Sequence, residues 1–202
     1  AVGGVQPLVV EVRDQWGNKV SAQTVGFTVT GSPGGTAYVS DPIVSTDGIG
    51  QATTQLHTSF QAGANTVRAS INDSNPPALE TKTFTVNTTS GSVIDHYDFT
   101  LGKTTWTANE LVSVQVRAFD QFDNPIDDDT TPVQLTSTTG NVQYTLAAGT
   151  LANGIFSTTA RDNVAEQTRL VVSTNGGEPR DTSGVVTVVH GTAYEVVKIS
   201  GD

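Results

Sequence analysis

Apolar and polar residues alternate along short stretches of the chain, which is the pattern of β-strands with one buried face. In the clearest stretch, Val112, Val114 and Val116 alternate with Ser113 and Gln115. A period of two places the valines on one side of a pleated strand, and no stretch sustains the period of an amphipathic helix. The predicted strands are 5–13, 24–30, 36–40, 50–58, 65–72 and 80–86 in the first half, and 94–101, 110–119, 132–138, 141–147, 154–160, 168–174 and 184–190 in the second.

Short turn motifs separate these strands. Asp47-Gly48 and Asn153-Gly154 are dipeptides that readily adopt the positive backbone angles of tight hairpins. Threonine and valine, which fit a pleated strand, fill much of the chain between turns, and 20 glycines and 8 prolines supply further breaks. Many short strands joined by close turns predict an all-β fold, and the antiparallel β-sandwich is the architecture that this pattern favours.

The two halves of the chain repeat each other at an offset of 106 residues. The motif Asp14-Gln15-Trp16-Gly17-Asn18 recurs as Asp120-Gln121-Phe122-Asp123-Asn124. The same offset pairs Val10 with Val116, Thr30 with Thr136, Gly34 with Gly140, Tyr38 with Tyr144, and Asp47-Gly48-Ile49 with Asn153-Gly154-Ile155. An immunoglobulin-like sandwich holds about 100 residues. The repeat therefore predicts two tandem immunoglobulin-like antiparallel β-sandwich domains, at 1–87 and 93–190.

The first repeat lacks the opening strand of the second. Residues 96–101 have no counterpart before Val5, whereas residues 191–199 show the same pattern. We expect residues 191–202 to be the opening strand of a following domain in a longer chain, or a donor strand that completes the first domain of another subunit. Both alternatives place successive units head to tail. The residues expected to make the inter-unit strand contacts are Tyr194, Val196, Val197 and Ile199.

Two segments carry a resemblance to a known family. Asp14–Val20, which follows the strand Leu8–Arg13, and Gly191–Ile199 resemble the immunoglobulin-like repeats of invasin- and intimin-type bacterial adhesins. Bacterial filamin-like repeats are similar to them too. The resemblance implies a rigid extracellular spacer that holds another module away from the cell. The chain departs from the family at Asp123, which replaces the usual glycine of the turn.

Composition limits the partners. The 202 residues include 10 Lys and Arg against 20 Asp and Glu, which gives a net charge of −10. Such a surface repels nucleic-acid phosphates and anionic lipids, and no apolar stretch approaches the length of a membrane span. Because cysteine is absent, disulfides and thiolate metal sites are excluded. The expected partners are neighbouring repeats or identical subunits, and the expected location is extracellular or at the cell surface.

Acidic residues cluster in one loop of the second repeat. Calcium prefers several oxygen ligands, and closely spaced carboxylates supply them. The alternative is a solvated turn whose Asp and Asn side chains cap their own backbone. No cofactor other than this calcium ion is expected. The candidate ligands are Asp120, Asp123, Asp127, Asp128 and Asp129.

No catalytic site is predicted, because the three histidines lack metal-ligand spacing and no nucleophile-elbow motif is present. Trp16 and Phe122 occupy equivalent repeat positions, so they and Trp106 are expected to pack in a core or between domains. An exposed Trp16 or Trp106 would instead indicate a binding surface. The leading hypothesis is a non-catalytic structural segment of an adhesin stalk or surface filament. The alternative is a binding module for cell adhesion or carbohydrate in a secreted multidomain protein.

Overall fold

The computed structural model describes residues 1–71, 81–174 and 177–200. By contacts, the chain divides into two compact units: Ala1–Gly91 with Phe122–Asn124, and Ser92–Gln121 with Pro125–Asp202. Within the described ranges the regular structure is β-strand, apart from one short 3-10 turn at Pro33–Gly35. None of these residues lies in a helix long and apolar enough to cross a membrane.

The first unit is a sandwich of two antiparallel sheets. One sheet has the strand order β1-β5-β3 and the other has the order β4-β2-β6-β7. Val10 on β1 lies opposite Ala52 on β5, and Phe27 on β2 lies opposite Ala69 on β6. The strands are β1 (Val5–Glu11), β2 (Thr24–Gly31), β3 (Tyr38–Val39), β4 (Ile43–Ser45), β5 (Gln51–His57), β6 (Gly63–Ile71) and β7 (Thr81–Thr88).

The second unit repeats this plan and adds strands to it. Its main sheets have the orders β12-β14-β10-β8 and β13-β11-β16-β17, and a small third sheet has the order β15-β18-β9. Strands β9 and β18 run parallel, and the other pairs are antiparallel. The strands are β8 (His96–Leu101), β9 (Thr105–Thr107), β10 (Val112–Phe119), β11 (Pro132–Ser137), β12 (Gln143–Tyr144), β13 (Ala148–Thr150), β14 (Ile155–Arg161), β15 (Gln167–Thr168), β16 (Leu170–Thr174), β17 (Arg180–Thr182) and β18 (Val186–Val189).

Each unit has its own hydrophobic core between its main sheets. Val112, Val114 and Val116 are buried as their alternation predicts, and Ser113 and Gln115 are exposed. Burying each such side chain contributes about 1.5–3 kcal/mol relative to leaving it in water. The prediction of an all-β fold with two immunoglobulin-like sandwiches is therefore confirmed.

Several predicted strand boundaries differ from the structure. The predicted strand 141–147 shortens to β12, and the short strands β4, β9, β13 and β17 were not predicted. Strand β17 is only three residues long and polar, so it carries no hydrophobic alternation to detect. The predicted strand 65–72 ends at Asn72, which lies outside the described residues.

Equivalent hydrogen bonds show how the two repeats correspond. The amide of Val12 donates to the Gly50 carbonyl, and the amide of Ala118 donates to the Gly154 carbonyl. The offset of 106 residues therefore holds at Val12 and Ala118 but has fallen to 104 at Gly50 and Gly154. The sequence prediction paired Gly48 with Gly154 instead, because it carried one register across loops that differ in length.

Gly50 and Gly154 both lie where the backbone of a neighbouring segment approaches closely, so a side chain would not fit there. Gly154 has φ of +71°, and a Cβ atom on it would lie 1.9 Å from the carbonyl oxygen of Ile126. We expect Gly154→Ala to lower the free energy of unfolding by about 2–4 kcal/mol, because backbone strain adds to a clash that backbone atoms cannot easily relieve. Urea unfolding of the purified chain measures this loss.

Gly140→Ala is the matched control for this substitution. Gly140 also has positive φ, +80°, but nothing lies within 4 Å of the position its Cβ would take. It should cost about 1 kcal/mol from backbone strain alone. Equal losses in the two variants would contradict the assigned packing of Gly154 against Ile126.

Candidate functional site

Strand β8 connects the edges of the two main sheets in the second unit. Tyr97 lies opposite Ala118 on β10, and Phe99 lies opposite Val116. The amide of Tyr97 also donates a 2.8 Å hydrogen bond to Oδ2 of Asp181, which belongs to β17 in the other sheet. The strand therefore covers the outer edge of β10 and closes the sandwich along this side.

Tyr97 is the residue of β8 that is most deeply buried. Only 3% of its surface is exposed, and it packs in the core of the second unit. Burial, followed by the nearby carboxylates of Asp129 and Asp181, raises the pKa of Tyr97 to about 12. The side chain is therefore neutral at physiological pH, as expected for a tyrosine that is buried among apolar residues.

The corresponding edge in the first unit is open. Strand β1 pairs with β5 on one side, and no strand within the described ranges pairs with its other side. Leu8 and Val12 are buried and Val10 is half-buried, so the inward face of β1 is apolar. An edge of this kind presents unpaired backbone groups beside an apolar surface and is a ready template for another strand.

A groove of about 60 Å³ lies next to this open edge. It is bounded by β1 on one side and by β6 and β7 on the other, with β2 at its floor. Its lining is mostly apolar, with a lysine at the rim. The main lining residues are Val10, Val12, Val25, Ala69, Ile71 and Lys82.

The groove corresponds to the seat of Tyr97 in the second unit. Ala69 faces Lys82 across β6 and β7 in the same way that Val172 faces Asp181 across β16 and β17. Lys82 is therefore the equivalent of Asp181, which accepts the hydrogen bond from the Tyr97 amide in the second unit. The first unit therefore has the strands that surround this position. Within the described ranges, no strand equivalent to β8 lies beside them.

Charged side chains mark the outer rim of the groove. Glu11 accepts a 2.6 Å hydrogen bond from Nε of Arg13, and its other oxygen lies 3.0 Å from Nζ of Lys19. Lys19 and then Arg13 lower the pKa of Glu11, so its carboxylate stays ionised. These exposed pairs contribute little stability in water, but they fix the charge that an incoming strand would meet.

The segment expected to supply inter-unit contacts is exposed and forms no strand. Between 67% and 100% of the surface of each of its predicted contact residues is exposed, and none packs in either core. Four large apolar side chains so close together are far more exposed than isolated surface hydrophobics need to be. These residues are Tyr194, Val196, Val197 and Ile199.

The predicted calcium ligands are not gathered into one site. Asp127 pairs with Arg117 at 2.5 Å, and Asp129 accepts a hydrogen bond from the amide of Thr131. Asp120 is buried, whereas Asp123 and Asp128 are exposed. Within the ranges that the structure describes, no group of three or more Asp, Glu, His or Cys side chains is arranged to hold a metal ion. Asp127 instead binds arginine, and Asp129 caps the loop.

The two tryptophans occupy opposite environments. Trp106 is completely buried in the core of the second unit, where its indole N–H donates to the Lys103 carbonyl at 2.9 Å. Its burial therefore comes from the core of its own sandwich, which is one of the two environments expected for it. Trp16 is 77% exposed at the tip of a turn in which Asp14 accepts hydrogen bonds from the amides of Trp16 and Asn18.

Phe122 belongs by contacts to the first unit. Within that unit its ring lies 4.9 Å from the ring of Phe60. The neighbouring Asn124 donates to the Phe60 carbonyl and accepts a hydrogen bond from the amide of Ala62, both at 2.8 Å. Sequence reasoning placed Asn124 in the repeated turn but missed these two hydrogen bonds.

The comparisons with known proteins bear on the fold. No family model matches the chain, and no curated protein matches it by sequence. Among solved structures, the D00-D0 domain of intimin is similar with a TM-score of 0.52, 13% identity and coverage of 93% of both chains. At this identity the match shows the fold alone, which is that of tandem immunoglobulin-like domains. The expected resemblance to the intimin type is confirmed at that level.

Two weaker structural matches carry no argument of their own. The Escherichia coli adhesin FdeC is 21% identical, with a TM-score of 0.47 and coverage of 93% of this chain and 60% of that one. A beta-glycosidase from Bacteroides vulgatus is 10% identical, with a TM-score of 0.45 and coverage of 93% of this chain and 23% of that one.

The environments of the tryptophans lead to a prediction of stability. We expect Trp106→Ala to lower the free energy of unfolding by about 3–5 kcal/mol, because it leaves a large cavity and removes the hydrogen bond to Lys103. Trp16→Ala should change it by less than about 0.5 kcal/mol, since its indole is in water. Chemical denaturation followed by circular dichroism measures both, and a large loss for Trp16→Ala would contradict its placement.

Proposed function

We propose that this chain is a non-catalytic spacer segment of an extracellular adhesin stalk or surface filament, in which successive units follow one another head to tail. The observation that supports this most is the tandem immunoglobulin-like fold shared with intimin D00-D0 along nearly the whole of both chains. A closed sandwich resists bending because its cross-strand hydrogen bonds and its core must break together.

The open edge of β1 supports the head-to-tail arrangement. Among the residues that the structure describes, no strand pairs with the outer edge of β1, and the segment Tyr194–Ile199 has a matching apolar strand pattern. Adding this segment to β1 of the next unit is β-strand addition, which uses backbone hydrogen bonds for affinity and alternate side chains for specificity. The acidic surface, with a net charge of −10, favours solubility of such an exposed array.

Stiffness is the property that tests the spacer role. Because the chain contains no cysteine, pairs of spin labels can be placed on it without background. We expect labels on Ile43→Cys and Leu146→Cys, one in each unit, to give a distance distribution nearly as narrow as labels on Ile43→Cys and Tyr38→Cys within the first unit. All three positions are exposed. Double electron–electron resonance makes this measurement.

A broad distribution for the first label pair would contradict a stiff spacer, because it would show two units that move independently. The pair within the first unit controls for motion of the labels themselves. Unchanged melting temperatures for the labelled variants confirm that the distances report the native fold.

A binding module is the second candidate, and the exposed indole of Trp16 at a turn tip favours it. Exposed tryptophans stack on sugar rings or partner side chains. Since Trp106 is completely buried, a ligand-dependent change in tryptophan fluorescence would come from Trp16. A glycan array probed with the full chain and with Trp16→Ala tests this candidate, and equal signals from both would exclude a role for Trp16.

A further inference from the structure

We propose that Asp162 and Glu166 are the charged ligands of a binding site for a hard divalent cation of the calcium type. Thr139 and Asn141 contribute neutral oxygen ligands, and water completes the coordination. The two acidic residues lie on the loop between β14 and β15, and the two neutral residues lie on the loop between β11 and β12, all within the second unit. The site goes beyond the proposed spacer role and does not depend on it.

Asp162 is a buried carboxylate with one oxygen that lacks a partner. Only 1% of the residue is exposed, and its Oδ1 accepts a 2.8 Å hydrogen bond from the amide of Val164. Its Oδ2 is buried too, and no hydrogen-bond donor among the described residues reaches it. Burying a charged oxygen without a donor or a counter-ion is costly, so such an atom indicates a positive partner.

A second carboxylate, that of Glu166, lies beside Asp162. Burial raises the pKa of Asp162, the hydrogen bond from the Val164 amide opposes this, and the negative charge of Glu166 adds to it. Two carboxylates this close repel each other unless a proton or a metal ion lies between them. The unpartnered oxygen and the like-charge contact therefore point to a cation at the same place.

Arg161, the residue next to Asp162, neutralises neither carboxylate. Its Nε donates to Oε1 of Gln143 and its Nη1 donates to Oδ1 of Asn109, both at 3.2 Å. Among the described residues, no Lys, Arg or His forms an ion pair with Asp162 or Glu166. The charge of the two carboxylates is therefore left for an ion from solution to neutralise.

Two neutral side chains that carry oxygen atoms lie against Glu166. Nδ2 of Asn141 lies 3.2 Å from both of its carboxylate oxygens, and the hydroxyl of Thr139 is the main cause that lowers its pKa. Turning the Asn141 amide over would present Oδ1 in place of Nδ2, and the hydroxyl has free lone pairs. Calcium takes about six to eight oxygen ligands, so these atoms and water would complete what two carboxylates begin. This composition agrees with the absence, in the described part of the chain, of a metal-binding group of three acidic or histidine side chains.

The first unit shows that the fold does not require a carboxylate at this position. The pairing of β1 with β5 and of β10 with β14 makes Thr58 the equivalent of Asp162. Thr58 is buried as well, but its hydroxyl donates to the Gly4 carbonyl at 3.1 Å, so the side chain is neutral and satisfied. A buried charge in one repeat and not in the other adds nothing to the common fold, and a bound cation gives it a role.

Calcium titration of the full chain tests the site. With two carboxylate ligands we expect a Kd of about 10⁻⁴–10⁻³ M, the range of weak extracellular modules. Calcium at about 10 mM should then favour the folded second unit by about ten- to a hundredfold and raise its melting temperature by at least about 4 °C. Tryptophan fluorescence follows this transition, because Trp106 lies in the second core and Trp16 is already exposed. An equal shift with sodium chloride at the same ionic strength would overturn the site.

Charge-matched variants separate the site from the general acidity of the chain. Asp162→Asn should abolish the calcium shift, yet without calcium it should melt no lower than the unmodified chain, because the like-charge contact is gone. Glu166→Gln, at a half-buried position, should abolish the shift as well. Asp128→Asn removes the same charge from an exposed position in another loop and should keep the full shift. Equal calcium shifts in the three variants would overturn the assignment.

Nuclear magnetic resonance locates the bound ion. In the isotope-labelled full chain, calcium should shift the amide signals of Val164 and Asn141 most, and the shifts should saturate with the Kd found by melting. Asp162→Asn should weaken this binding at least about tenfold, since a charged ligand is lost. Shifts that do not saturate and that spread over exposed acidic residues would show non-specific attraction and overturn the site.

A shared proton is the alternative to the metal ion. Protonation of Asp162 would satisfy both carboxylates, and because burial raises its pKa, stability would then increase as the pH falls from about 7 to about 5. The metal site would be overturned if calcium left the melting temperature unchanged while acid raised it, with the acid effect lost in Asp162→Asn and kept in Asp128→Asn.

Discussion

The outer edge of β10 in the second unit, and of its counterpart β1 in the first, is the constraint on which the rest of this structure depends. A strand edge leaves a row of backbone N–H and C=O groups without partners, beside the apolar residues that point into the core. In the second unit β8 satisfies both needs, since it pairs with β10 and sends Tyr97 into the gap between the sheets. In the first unit, β1 has the same inward apolar face. Among the described residues, however, it pairs with β5 on one side and with no strand on the other.

The hydrophobic pattern predicted the sandwich because burial of alternate residues is local information. The valines of β10 carry that signal without help from distant residues. The tight approach of Gly154 to Ile126 was not predictable in the same way, because it depends on which loop passes beside the glycine in three dimensions. For the same reason the single offset of 106 residues failed beyond Val12, where insertions and deletions in loops change the count without changing the fold.

The candidate sites illustrate a second limit of sequence reasoning. A run of aspartates predicts a metal site only if the backbone turns their oxygens towards one point. Here Asp127 turns to Arg117 and Asp129 turns to the amide of Thr131, so the carboxylates stabilise the loop itself. The placement of Trp106 was equally beyond the repeat argument, because it belongs to the added strand β9 and has no equivalent in the first repeat. The alternation of apolar and polar residues around Tyr194 was visible in the sequence because it repeats the alternation of β8.

The edges of β10 and β1 separate what strand pairing contributes from what burial of a side chain contributes. A strand that only pairs along β1 would gain backbone hydrogen bonds, which water also supplies, so its net benefit would be modest. A strand that also buries a tyrosine, as β8 buries Tyr97, gains the free energy of apolar burial. It also contacts both sheets of the sandwich, since the amide of Tyr97 binds Asp181. In the second unit, completion of the sheet edge and burial of Tyr97 are therefore achieved by the same strand, β8.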